Sequence, residues 1–275
     1  MKIAPLFAAL VLPLAAHPDP RHTLEEINSH LAQTPEDQEL LRQKAQVYLS
    51  TGNPGEAAAI FLALQKLGPD EPANLLLDAR VALAKDERES SAAKARALVA
   101  RHARFDRGWK FLAQAEESVG RRDAALAAML RYLEISAHPE PGEVLTCAGW
   151  LQGRGATGDL ETAVAVLDGG LAKAGCLSGL HHKAIEIELG LGHYDSALRR
   201  IDALAARFRP SVDLSLKRAD ILEKAERFKE AADACDSALA LMDALPATRK
   251  RSDAFQQQFA AMAKRKAANL EKPGS

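Results

Sequence analysis

Alanines recur at a fixed interval in this chain: Ala45, Ala79 and Ala113 lie 34 residues apart, as do Pro35 and Pro69. Self-similarity at such a period constrains a fold more than composition does. Each copy is then one supersecondary unit that cannot bury its apolar face alone and must stack on the next. Around Ala45 the series runs Leu41, Ala45, Gly52, Ala57, Phe61 and Pro69; around Ala113 it runs Trp109, Ala113, Gly120, Ala125 and Met129. A bulky apolar residue, a small one a helical turn later, then Gly and a second small residue describe two close-packed helices joined by a tight turn. The Gly supplies the left-handed backbone that costs little without a Cβ.

Weaker copies extend the series. Residues 72–103 keep Ala79 but place Asp86 and Ser91 where Gly and Ala are expected. Residues 141–175 keep Ala148, Gly158, Ala163 and Leu167 with three extra residues in the turn. Two more copies carry Ala184, Gly192, Tyr194, Ala197 and Ile201, and then Ala219, Phe228, Ala231 and Ala238. The chain is 47% hydrophobic but only 5% aromatic, which suits helix and is poor for sheet. Leu24, Ile27 and Leu31 share one face of a leading helix over 22–33, with Thr23 and Glu26 as its capping box. Thr34 then reads as the cap of the first repeat, with Pro35 opening the helix. Phe255, Phe259 and Met262 give residues 252–270 the apolar stripe of a terminal capping helix.

Residues 1–16 pair Lys2 with an apolar run interrupted by Pro5 and Pro13, the pattern of a signal peptide cut after Ala16. The division expected is 1–16 signal peptide, 17–34 leading segment, 35–246 repeats and 247–275 capping helix and tail, in a periplasmic or secreted protein. Cys147, Cys176 and Cys235 are too few and too scattered for a disulfide framework; small apolar fillers are favoured, with one Cys147–Cys176 bridge the alternative.

These residues resemble the tetratricopeptide repeat, whose pattern is W-x2-L-G-x2-Y with later A, F, A and P. Trp109, Leu112 and Ala113 match it in one copy, and Leu41, Ala45 and Tyr48 in another. The resemblance covers about 35–245 and implies an all-α, right-handed superhelical solenoid of about six hairpins with a concave binding face. In that family the face is lined by set places of each first helix, here Arg42, Gln46, Arg80, Lys110, Gln114, Gln152, His181 and Glu188. Its first half is cationic to neutral, which suits a partner with acidic or carboxylate groups. Leu77 and Phe111 stand where the family's carboxylate clamp has asparagine and a basic residue, so that clamp is not expected.

Catalytic chemistry is not indicated. Gly153–Gly158 matches GxGxxG, but between two helices rather than after a strand, so no nucleotide is expected. His181 and His182 are adjacent and point about 100° apart on a helix, which rules out shared metal ligation. A processed His17 terminus could hold copper, the one metal reading with a chemical basis. A net charge of −1, from 36 basic and 37 acidic residues, gives no field toward nucleic acid. The basic residues Arg249, Lys250, Arg251, Lys264, Arg265 and Lys266 are a candidate membrane-surface contact. The expectation is an exported interaction scaffold without cofactor. The alternatives are a self-associating structural protein and, less favoured, a metal-dependent enzyme.

Overall fold

The computed structural model describes residues 20–272; the expected leader and His17 lie outside them. Among the described residues there are helices and no strand, grouped in two compact units that divide between Ile135 and Ser136. The first holds α1 (Pro20–Leu31) and three hairpins: α2 (Gln38–Ser50) with α3 (Pro54–Leu67), α4 (Pro72–Ala84) with α5 (Arg88–Arg101), and α6 (Asp106–Ser118) with α7 (Arg122–Ile135). The second pairs α8 (Pro141–Arg154) with α9 (Asp159–Ala174), α10 (Ser178–Gly190) with α11 (Tyr194–Arg207), and α12 (Val212–Lys224) with α13 (Phe228–Asp243). A single turn, α14 (Ala247–Lys250), and α15 (Asp253–Leu270) complete it.

Within each unit the two helices of a hairpin pack together, α3, α5, α9 and α11 each pack on the first helix of the next hairpin, and first helices meet one another, α2 with α4, α4 with α6 and α8 with α10. This is the all-helical repeat that the 34-residue spacing implies, with all six hairpins present. The small residues explain the closeness: Ala45, Ala79, Ala113, Ala148 and Ala219 are all fully buried, as are Ala57, Ala163, Ala197 and Ala231 on the second helices. Ser91 takes the alanine place of the second hairpin. It is equally buried, and its hydroxyl donates to the Ala79 carbonyl at 2.8 Å, so the departure from pattern is hydrogen-bonded within the hairpin.

The hairpin turns need a left-handed residue. Gly52, Gly120 and Gly192 supply it at φ 73°, 84° and 73°, while Asp86 and Glu226 adopt φ 62° and 58° at the same place. The longer fourth turn runs from Gly155 to Gly158, both left-handed, and is fastened by Asp159, which accepts from Arg154 and from the Ala156 amide at 2.8 Å. The GxGxxG match is this turn, joining α8 to α9.

Several local expectations are corrected. The cap of α2 is Asp37, not Thr34; its carboxylate accepts from the Glu39 and Leu40 amides at 2.9 and 3.0 Å, satisfying donors that the helix start leaves open. Pro20 is already helical, which places Thr23 inside α1 rather than at its cap. All three cysteines are free thiols; Cys147 is buried among apolar neighbours and its thiol is pushed up to about 12, far from thiolate reactivity.

In the first unit Ala45, Ala57, Leu64, Leu77 and Val81 form a core on which Tyr48 and Phe61 pack. In the second, Leu198, Ile201, Leu204, Ile221 and Leu222 form one that Met262 of α15 closes. α15 is capped by Ser252 and held down by charge as well: Arg265 donates to Glu223 at 2.8 Å and to Asp220, and Asn269 donates to Glu223 at 2.6 Å.

Candidate functional site

Helical spacing decides which side chains share a face. Glu39, Arg42, Gln43 and Gln46 stand at i, i+3, i+4 and i+7 on α2, and Ala73, Leu76, Leu77 and Arg80 repeat those places 34 residues later on α4. Together with Phe105 and Arg107 at the start of α6, these two rows line a cavity of about 250 Å³ in the first unit. Arg42, Gln46 and Arg80, three of the residues expected to form a binding face, are thereby brought together.

The three guanidinium groups here are not equivalent. Arg42 is held: it donates to Glu39 Oε2 at 3.0 and 3.2 Å and to Asn74 Oδ1 at 3.1 Å. Asn74 is itself buried, and its amide donates to the carbonyls of Leu64 and Gly68 at 3.2 and 3.0 Å, so the α3–α4 connection fixes the Arg42 head group. Arg80 is half-buried, and among the described residues no carboxylate pairs with it; burial alone pushes its pKa below the ordinary arginine range. Arg107 is exposed at the rim. Three cations against the single carboxylate of Glu39 leave the cavity positive, with Leu76, Leu77 and Phe105 as its apolar wall.

The other expected residues are placed differently. Lys110 and Gln114 are exposed on α6 outside the cavity lining, and Lys110 Nζ lies 6.0 Å from the centre of the Tyr132 ring. Gln152 is exposed on α8, accepting from Lys183 at 2.7 Å and donating to Glu186 at 3.3 Å. His181 and Glu188 are buried, 8% and 3% exposed. Glu188 accepts from Arg200 at 2.9 Å, and Arg200 also reaches Asp168 at 2.7 Å. Burial raises the Glu188 carboxyl, and Arg200 offsets only part of that rise.

The reason for the last two placements is a one-residue slip. Gly192 marks the turn, and counting seven back from it, as from Gly52 to Ala45, gives Ile185 rather than Ala184. The outward places of α10 are therefore Gly179, His182 and Glu186, which border a second cavity of about 550 Å³ in the second unit. The Gly192 and Ala197 spacing carried that information in the sequence.

Three of the six basic residues of the C-terminal stretch are engaged in ion pairs. Lys250 pairs with Asp243, Arg265 with Asp220 and Glu223, and Lys266 with Asp236. No cluster of His, Cys, Asp and Glu among the described residues could hold a metal, and none of their helices is long and apolar enough to cross a membrane.

Comparison with known proteins agrees with this architecture. A family model described as tetratricopeptide repeat matches residues 26–72 and 182–247. No curated protein matches the sequence. Among solved structures, yeast Tom70 aligns at TM-score 0.56 and 13% identity over 90% of this chain, which spans 48% of that one. PilF of Pseudomonas aeruginosa aligns at TM-score 0.47 and 15% identity, over 82% of this chain and 97% of that one. A tetratricopeptide repeat protein from Parabacteroides merdae aligns at 0.42 and 12% identity, over 89% and 93%. At these identities the likeness concerns the fold alone.

Proposed function

We propose that the chain, which a tetratricopeptide repeat model matches over residues 26–72 and 182–247, is an exported, non-enzymatic scaffold of that family that binds a protein or peptide segment carrying carboxylate groups. One observation carries the reading: Arg80 keeps a half-buried guanidinium with no carboxylate partner among the described residues, in a cavity it shares with Arg42, Gln46 and Arg107. A desolvated cation without a partner costs stability, and a carboxylate arriving from outside removes that cost. Glu39 and Asn74 hold Arg42 in place beforehand, so less side-chain freedom is lost on binding. The apolar run that follows Lys2 supports export, and recovery of a secreted chain beginning at His17 is the result expected from N-terminal sequencing.

The test is fluorescence anisotropy with a labelled, aspartate-rich peptide whose ends are blocked. Saturable binding that weakens about tenfold in Arg80→Gln and falls with added salt is expected. An affinity untouched by Arg80→Gln overturns the assignment of the cavity. The same substitution removes an unpaired buried charge and is expected to leave the melting temperature equal or higher, so lost binding is separable from lost folding.

A further inference from the structure

The cavity in the second unit has a different chemistry. Its apolar wall comes from Leu145 of α8, Ile185 and Leu189 of α10 and Ile221 of α12, all aliphatic. At its border most charges are already matched. Glu186 accepts from Lys183 at 2.8 Å and from Gln152, and Asp220 accepts from Arg265. Lys217 is the exception. Its Nζ lies 3.1 Å from His182 Nδ1, and among the described residues no carboxylate pairs with it. Burial, and then the charge of Lys217, lower the pKa of His182, so the imidazole is neutral at pH 7 and accepts a hydrogen bond from the ammonium. That bond orients Lys217 without neutralising it. Gly179 leaves the remaining border bare: a Cβ there would meet nothing within 4 Å.

We propose that this cavity receives an aliphatic side chain of a partner polypeptide, with a neighbouring carboxylate of the same segment pairing with Lys217. The inference rests on the reading of the chain as a peptide-binding scaffold, and it adds a second recognition point of distinct composition. Its volume of about 550 Å³ exceeds one leucine side chain, so two adjacent aliphatic residues fit. The aliphatic lining gives the partner apolar area to bury, and the ammonium selects among partners that bring it.

The experiment uses the full chain and labelled, end-blocked peptides containing two adjacent leucines followed by aspartate, with a matched peptide carrying asparagine instead. Binding of the aspartate peptide is expected to weaken at least tenfold in Gly179→Leu, whose new side chain occupies the cavity. In Lys217→Gln it is expected to weaken about fivefold, down to the affinity of the asparagine peptide, which the substitution leaves unchanged. Gly179→Leu replaces a helical glycine facing open space and should raise the melting temperature, so loss of binding is not loss of fold. Unchanged binding in Gly179→Leu overturns the proposal, as does dissociation of a wild-type dimer by that substitution, which makes a second copy the occupant. If the leucine-aspartate probe does not bind while the aspartate-rich peptide still binds through Arg80, the second recognition point fails and the scaffold reading stands. If neither peptide binds, both fall.

Discussion

Asp86 and Glu226 hold the left-handed turn conformation that glycine holds in neighbouring hairpins. A Cβ in that conformation crowds the following carbonyl at a cost of about 1 kcal/mol, less for Asp than for Glu because its short side chain bonds locally. Asp86 does so, accepting from Arg88 Nε at 2.7 Å. Glu226→Gly is therefore expected to stabilise by about 0.5 kcal/mol after the greater freedom of the unfolded chain is deducted, and Asp86→Gly to be neutral. Urea unfolding of the two variants beside the parent checks this; a stability loss at Glu226 equal to that at Asp86 shows that the turn is unstrained. At this scale the sequence was only partly legible. The positions of Asp86 and Ser91 followed from counting, but what makes them tolerable did not. Ser91 spends its hydroxyl on the Ala79 carbonyl across the hairpin, and Asn74 ties Arg42 to two carbonyls; neither contact has a spacing signature.

Elements fit together through place-by-place compensation. Seven residues after the small residue of each second helix the chain carries Leu64, Leu98, Tyr132, Gly170, Leu204 and Ala238. Only the fourth hairpin needs glycine, because a Cβ on Gly170 would lie 2.8 and 3.0 Å from the two methyls of Val144 and 3.2 Å from Leu180. Those atoms fill the space that a larger residue takes elsewhere. Gly170→Ala is expected to cost about 1 kcal/mol net, the overpacking penalty less the helix-propensity gain. In a Val144→Ala background, where the crowding methyls are gone, the same substitution should become stabilising. A double-mutant cycle reads the reversal directly, and additive effects sink the account. The helix pairing itself was plain in the sequence because alanine and glycine mark contact and turn. The phase of α10 was not, since Ala184 and Ile185 are both buried and either satisfies an apolar template. The choice of Ala184 moved the expected face onto His181 and Glu188, whereas the turn at Gly192 moves those two places to His182 and Leu189.

For the molecule as a whole, carboxylates shifted by burial or by arginine partners set the response to acid, and their signs differ. Burial would raise Glu116, but hydrogen bonds from Arg96 and Arg121 outweigh it and hold the carboxyl below its ordinary value of 4.5. Arg265 lowers Glu223, and Arg227 lowers Glu230. A group whose folded-state pKa is depressed stabilises the fold above the ordinary value, and that contribution is lost as pH falls through the depressed one. Glu188 is the opposite case: raised by burial, it favours the fold while protonated, and this contribution is lost as pH rises through the raised value. Depressed groups outnumber the raised one, so urea midpoints should be level near neutrality and decline below pH 4.5. Glu116→Gln tests the sign, because it deletes the charge that Arg96 and Arg121 require: it should cost about 1.5 kcal/mol at pH 7, and that cost should shrink as pH falls through the depressed value. Glu188→Gln resembles the protonated form already favoured by burial, and Asp168 still engages Arg200, so its cost at pH 7 should be markedly smaller than that of Glu116→Gln and should grow, not shrink, toward pH 3. Parallel pH profiles for the two variants would refute the opposed assignment, and with it the distinction between a carboxylate held charged by two arginines and one pushed toward neutrality by its surroundings.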